Sequence, residues 1–236
     1  MTVSRRTLLG VGAGGAAAVV AGGFWYARRG ESVIAGIPPA SAQPVTTQGN
    51  AGQASTEGAL GERSIGQADA PVVVQEFFSL TCSHCAAFHR ETMPRVKQDL
   101  VQTGKLRMVF RDFPLDQVAL MAAAVARSLP VSSYEPFVAA LFASQDRWAF
   151  ARGVNTTEEL AKMAALAGLP RAQFDAAIAD EALKAAILKG RDEYSRTYGI
   201  DATPSFVLNG PAAKNRKESG ARPYDDFARL VQQAAG

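Results

Sequence analysis

The chain has 236 residues, 47% hydrophobic and 20% charged, an ordinary balance for one large domain or two small ones with a sizeable core. Its formal net charge of +3 comes from the start of the chain, where Arg5, Arg6, Arg28 and Arg29 face only Glu31 within the first 42 residues; beyond them basic and acidic side chains balance. No positive excess remains to release counterions from phosphates, so no nucleic-acid partner is expected, and two cysteines are too few for a stapling disulfide framework.

Residues 4–10, Ser-Arg-Arg-Thr-Leu-Leu-Gly, lead into an uncharged run rich in Gly, Ala and Val that ends at Ala27. A charged flank before an apolar run is an export pattern, and the arginine pair resembles a bacterial twin-arginine signal. The run approaches the roughly 20 residues of a bilayer crossing, but its many glycines keep it weakly hydrophobic. Ala40-Ser41-Ala42 offers a cleavage site, so residues 1–42 read as a signal peptide, or as an N-terminal anchor if Arg28 and Arg29 mark the end of a retained span. Residues 43–61, mostly Gln, Thr, Gly, Ala and Ser, read as a flexible linker too poor in apolar side chains to build a dimerisation domain.

The run Val72-Val73-Val74-Gln75-Glu76-Phe77-Phe78 is β-branched and aromatic nearly throughout, which predicts a strand buried on both faces. After the turn Ser79-Leu80-Thr81, apolar residues at 85, 88, 93, 96 and 100 recur at helical spacing, with a kink expected at Pro94 and a stop at Gly104. Residues 105–111 alternate as a second strand, completing a strand-helix-strand crossover. Residues 116–198 are alanine-rich and read as several helices broken at Pro130, Gly153, Gly168-Leu169-Pro170 and Gly190, with Asn155 or Thr156 as a cap and Phe137, Leu141, Phe142, Trp148 and Phe150 as core. Residues 203–210 form a short apolar strand closed by an Asn209-Gly210 turn, residues 211–219 are too polar to signal a strand, and residues 223–234 carry a helical pattern. The expected architecture is α/β, with residues 62–115 and 199–236 forming one domain around a helical insertion, 116–198.

Cys82 and Cys85, the chain's only cysteines, sit where the buried strand turns into the helix. The first sulfur then lies at a helix N-terminus, where unpaired amides and the helix dipole favour an anion. The thiolate is the attacking species in disulfide exchange, so Cys82 is the candidate nucleophile and Cys85, one turn further in, the partner that closes the ring. His84 is positioned to bring a positive or hydrogen-bonding group to the Cys82 sulfur. Glu76 is an acid inside an apolar strand, costly unless it has a task or a partner, and is assigned the proton of Cys85.

Together the Glu-Phe-Phe-Ser-x-x-Cys-x-His-Cys segment, the helical insertion, Thr203-Pro204 and Gly220-Ala221-Arg222-Pro223-Tyr224 resemble the DsbA-like branch of the thioredoxin superfamily over residues 62–234. The resemblance implies a thioredoxin-like fold with an inserted helical domain, Cys82 exposed as nucleophile, Cys85 resolving, Glu76 as buried acid, and a cis Thr203-Pro204 bond whose backbone pairs with extended substrate. It further implies a protein-disulfide oxidoreductase, a dithiol oxidase of exported proteins. Its partners are unfolded or reduced polypeptides and a quinone-linked membrane oxidase, its setting the periplasm, its state monomeric, and its only redox group the Cys82–Cys85 disulfide, with no cofactor and no metal. Two residues depart from the commonest oxidase pattern: Ser83 stands where proline is usual, and Thr203 also occurs in disulfide isomerases. A reductase or isomerase of the same fold therefore stays open. A metal reading also stays open, because Cys82, Cys85 and His89 fall at i, i+3 and i+7 on one helix face and could bind zinc or copper, though no fourth ligand of comparable quality accompanies them. His89 alone reads as a packed or solvated helix residue.

Overall fold

The computed structural model describes residues 56–236. The export signal, its Ala40-Ser41-Ala42 site and residues 43–55 of the linker lie outside the described residues. The last part of the expected linker is instead structured: a short helix, α1 (Thr56–Ala59), leads to the first strand, β1 (Arg63–Ile65), and Ala59 is buried against Leu120, Ala123, Leu183 and Ile187. Composition gave no hint of this, because the anchor lies elsewhere in the chain. The Arg127 guanidinium donates to the carbonyls of Gly61 at 2.8 Å and Ala59 at 3.4 Å.

Among the described residues five strands form one sheet, in the order β1, β3 (Leu106–Asp112), β2 (Val72–Phe78), β4 (Ser205–Gly210) and β5 (Ala213–Ser219). The strand expected from its apolar run is β2 (Val72–Phe78), at the centre, with β3 (Leu106–Asp112) parallel on one side and β4 (Ser205–Gly210) antiparallel on the other. Glu76 pairs in register with Phe110 and Phe206, so it has no sheet edge through which to reach water. β1 pairs with the outer side of β3. The polar residues that gave no strand signal form β5 (Ala213–Ser219), the other edge. Five of its seven residues are exposed, so no alternation marks it; Arg216, Lys217 and Glu218 give the edge the charge that discourages further strand pairing. Asn209 and Gly210 lie within β4 rather than in the turn. A Cβ at Gly210 would meet the Ala234 carbonyl oxygen at 2.4 Å, so glycine is required for the last helix to approach.

Between β2 and β3, residues 83–101 form one continuous helix, α2, in which α-type turns (Ser83–Ala87, Met93–Val96) alternate with π-type turns (Phe88–Thr92, Lys97–Val101). Pro94 changes the turn type and does not end the helix: the wider turn before it lets the Met93 N–H reach Phe88 O. Gly104, at φ +74°, follows as expected. The helical segment comprises α3 (Gln117–Arg127), α4 (Val131–Ala143), α5 (Gln145–Trp148), α6 (Thr156–Leu166), α7 (Arg171–Ala179) and α8 (Glu181–Tyr198). Asn155 caps α6, its Oδ1 accepting from the N–H groups of Thr157 and Glu158. The break expected at Gly190 falls instead at Asp180, whose carboxylate caps α8 at Leu183 N–H, 2.8 Å away; Gly190 lies inside that helix. Phe137, Leu141, Phe142 and Trp148 are buried as expected, whereas Phe150, beyond the end of α5, is more than half exposed.

The last helix, α9 (Tyr224–Ala235), lays Phe227 and Val231 on the sheet, and the rings of Phe88, Phe206 and Phe227 meet at centroid distances of 4.8–5.4 Å. At the far end of β3 a buried ion pair joins sheet to helices. Arg127 Nε donates to Asp112 Oδ2 at 2.5 Å, and the Tyr134 hydroxyl donates to Oδ1 at 3.0 Å.

Candidate active site

β2 ends at Phe78, and the following turn is held by its own hydroxyls. The Cys82 N–H donates to Ser79 O at 3.0 Å, Ser79 Oγ accepts from the Leu115 N–H at 3.3 Å, and Thr81 Oγ1 donates to Asp116 Oδ2 at 2.6 Å. These bonds deliver Cys82 to the N-cap of α2 in an extended conformation, φ −80° and ψ 118°. Its sulfur takes the place of the usual capping oxygen, accepting from the Cys85 N–H at 3.4 Å. On its other side the thiol donates to the carbonyl of Thr203 at 3.3 Å. The Thr203–Pro204 peptide is cis, which brings the loop before β4 against the redox pair.

These contacts split the two thiols. The Cys82 ionisation is brought down to about 5, above all because the Cys85 thiol donates to the thiolate. Burial of the sulfur opposes this, while the Thr203 side-chain hydroxyl and the main-chain N–H groups of Cys85 and His84 reinforce it. Burial pushes the Cys85 thiol well above the usual range, and the charges of Cys82 and Glu76 push it the same way. One sulfur is therefore an anion at neutral pH and the other a neutral thiol. Both cysteines are free, Cys82 partly exposed and Cys85 enclosed.

His84 sits differently from the expectation. Its imidazole is exposed and makes no hydrogen bond to the sulfur; its contribution to Cys82 comes through the main chain. Two residues past the cap, at the second helical position, a residue turns its amide, not its side chain, toward the capping atom.

Glu76 is fully buried, and its partner is the histidine read as bland. His89 Nε2 lies 2.9 Å from Glu76 Oε1 and 3.2 Å from Oε2, with both side chains at or below 1% exposure. Phe142 lies against the imidazole at a ring distance of 4.4 Å, and Phe78, Phe88 and Phe110 complete the enclosure. His89 Nδ1 is buried with no hydrogen-bond partner in the protein. Helical spacing carried a signal for this pair: Cys85 and His89 are four apart, on one face, directed at the strand that holds Glu76. The same contact takes His89 out of the three-ligand face considered for a metal, and among the described residues no cluster of three or more His, Cys, Asp or Glu side chains is arranged to hold one.

Gln145 carried no sequence signal. From α5 its buried amide donates to Leu80 O at 2.8 Å and Cys82 O at 3.1 Å, so the helical segment supports the loop of the nucleophile.

The family model described as Thioredoxin matches residues 59–233. RP025 of Rickettsia prowazekii, which bears a protein-disulfide oxidoreductase name, is 28% identical over 171 residues, 72% of this chain and 60% of that protein, so the chain spans about 60% of its length. The disulfide bond formation protein D of Bacillus subtilis is 23% identical over 200 residues, 80% of this chain and 83% of its own. Among solved structures, alpha-DsbA1 of Wolbachia pipientis is 30% identical with a TM-score of 0.67, over 74% of this chain and 91% of that one. A five-stranded sheet with helices inserted before its cis-proline strand, a Cys-x-x-Cys at the mouth of the first crossover helix, and a match across three quarters of its length agree: the chain belongs to the DsbA-like branch of the thioredoxin family.

Proposed function

We propose that this chain is an exported protein-disulfide oxidoreductase that acts as a dithiol oxidase, passing its Cys82–Cys85 disulfide to reduced or unfolded proteins in the periplasm. The observation that carries this reading is the opposed ionisation of the two thiols, Cys82 brought down to about 5 and Cys85 pushed up. A stabilised thiolate stabilises the reduced form, and a disulfide whose reduced form is stable is a strong oxidant. The names borne by the relatives support the chemistry, and the arginine pair near the N-terminus supports export.

In the reaction a substrate thiolate attacks Cys82 Sγ, forming a mixed disulfide and breaking the Cys82–Cys85 bond. The electron pair leaves on Cys85 Sγ, which takes up one proton, with Glu76 as the buried acid that supplies it. A second substrate thiolate then attacks the substrate sulfur, forming the substrate disulfide and releasing Cys82 as a thiolate. The two electrons now on the protein pass to a membrane oxidase linked to quinone, and no cofactor beyond the cysteine pair takes part. Thr203 and Pro204 form the wall along which an extended substrate pairs. The chain acts as a monomer, either released by cleavage of its signal or held at the membrane by it.

Equilibration of the purified protein with reduced and oxidised glutathione tests the direction of electron flow. An oxidase is expected to be far more oxidising than thioredoxin's value of about −270 mV. A potential near that value instead assigns the protein to reductive work.

A further inference from the structure

We infer that Thr92 is a positioning residue for the polypeptide substrate: from α2, through residues 220–223, it steadies the Thr203–Pro204 wall on which an extended chain pairs. The inference rests on the oxidase reading above and concerns how its substrate is held. A threonine inside a helix commonly turns its hydroxyl back to a carbonyl of the preceding turn. Thr92, buried at the end of the first π-type turn of α2, instead donates to the carbonyl of Arg222 at 2.8 Å, 130 residues away in the chain. Thr92 lies ten residues past Cys82, about 15 Å of helix rise, so its effect on a substrate at the nucleophile is indirect.

Residues 220–223 carry that contact to the wall. β5 ends at Ser219, which pairs in register with Ser205. Gly220 then takes φ +88°, a conformation open to glycine at no steric cost, and its N–H donates to Pro204 O at 2.8 Å. Two residues on, Arg222 presents its carbonyl to Thr92, while its guanidinium donates to Glu218 Oε2 at 2.8 Å and to Ser219 O at 3.4 Å, tying the segment back to β5. Pro223 leads into α9, and the Arg95 guanidinium of α2 lies over the Tyr224 ring at 3.7 Å. The segment is thus bonded to Pro204 at one end and to α2 at the other. On its far side the wall meets the nucleophile, because Thr203 O accepts from the Cys82 thiol at 3.3 Å. Without the Thr92 hydroxyl the Arg222 carbonyl loses its donor, and the wall loses the brace behind it. An extended chain must then order the wall as it binds, which weakens binding, while the sulfur chemistry, governed chiefly by Cys85, keeps its rate.

The test is oxidation of a reduced, unfolded peptide with two cysteines by the disulfide form of the full chain, followed by stopped flow in a single turnover. Reduction of the same disulfide by dithiothreitol, which has no backbone to pair, is measured beside it. In Thr92→Val, the same shape without the hydroxyl, the peptide concentration giving half the limiting rate is expected to rise about fivefold or more. The limiting rate, the dithiothreitol rate and the Cys82 titration are expected to stay as in the parent. Thr92→Ser keeps the hydroxyl and is expected to restore parental half-saturation. Arg222→Ala, at a partly exposed position, frees the same segment from β5 and is expected to raise half-saturation as well. Parental half-saturation in Thr92→Val or in Arg222→Ala overturns the inference, as does a Thr92→Ser value as high as that of Thr92→Val. Slowing of peptide and dithiothreitol alike, the mark of general loosening, overturns it too. A parent protein that dithiothreitol reduces but that leaves the peptide dithiol unoxidised would instead refute the oxidase reading.

Discussion

Gln145 donates its side-chain amide to the carbonyl oxygen of Cys82 at 3.1 Å, a bond from the inserted helices to the first residue of the redox pair. The same amide serves Leu80 O at 2.8 Å, and the site is buried. Gln145→Leu leaves Leu80 O without this donor in an enclosed setting, a loss of about 1–3 kcal/mol. Urea denaturation of the reduced protein is expected to register that loss, together with slower alkylation of Cys82 as its loop loosens. An unchanged midpoint and unchanged reactivity would mean that the turn holds itself.

The two thiols have separate tasks, so their removal has unequal effects. Cys82→Ser is expected to abolish disulfide exchange. Cys85→Ser leaves the reactive sulfur but removes the group that resolves it, and should accumulate mixed disulfides with reduced, unfolded substrates, visible by non-reducing electrophoresis. Equal trapping by both variants would contradict these roles.

Stability should depend on pH differently in the two redox forms. In the reduced protein Cys82 ionises at about 5 when folded and near 9.0 in an unfolded chain, so between these values the unfolded state binds more protons. The contribution is complete above 9.0, declines as pH falls through that window and is gone below about 5; the ionisation of Cys85, pushed up by burial, works against it above 9.0. The oxidised protein lacks both thiols. The stability difference between reduced and oxidised forms, from urea midpoints at pH 4.5 and pH 8, is therefore expected to shift toward the reduced form as pH rises. A difference that is flat, or that moves the other way, would contradict a thiolate held by the fold.

Arg127 ties three parts of the chain together, bonding Asp112 on β3 and the carbonyls of Ala59 and Gly61 before β1. Arg127→Met strands a buried carboxylate, which costs about 3–5 kcal/mol. Thermal denaturation should show the loss, and limited proteolysis should show new cutting near Gly61 as α1 comes away.

What the sequence reveals and what it hides divide along physical lines. β2 is legible because a strand buried on both faces needs an unbroken apolar run, and the Cys-x-x-Cys is legible because the strand before it and the helix after it fix where the sulfurs fall. β5 is hidden because an edge strand exposed along most of its length has no hydrophobic period, and β1 because three residues are too few to show one. α1 and Gln145 are hidden for another reason: their partners, Arg127 and the carbonyls of Leu80 and Cys82, come from 63 to 68 residues away. Glu76 announces itself as an acid among apolar residues, while His89, its partner, looks like any helix residue until the strand and helix are brought together. His84 misleads because its place in the motif suggests a side-chain role that its amide fills.

The ionisation of Cys82 decides between a reactive nucleophile and a passive thiol. Titrating the reduced protein by thiolate absorbance at 240 nm, with the iodoacetamide rate followed in parallel from pH 3 to 10, isolates it. One sulfur ionising at about pH 5, absent in Cys82→Ser, is the expected result. A midpoint near 9.0, the ordinary value for cysteine, would show that the helix mouth confers no reactivity and would remove the basis of the proposed oxidase.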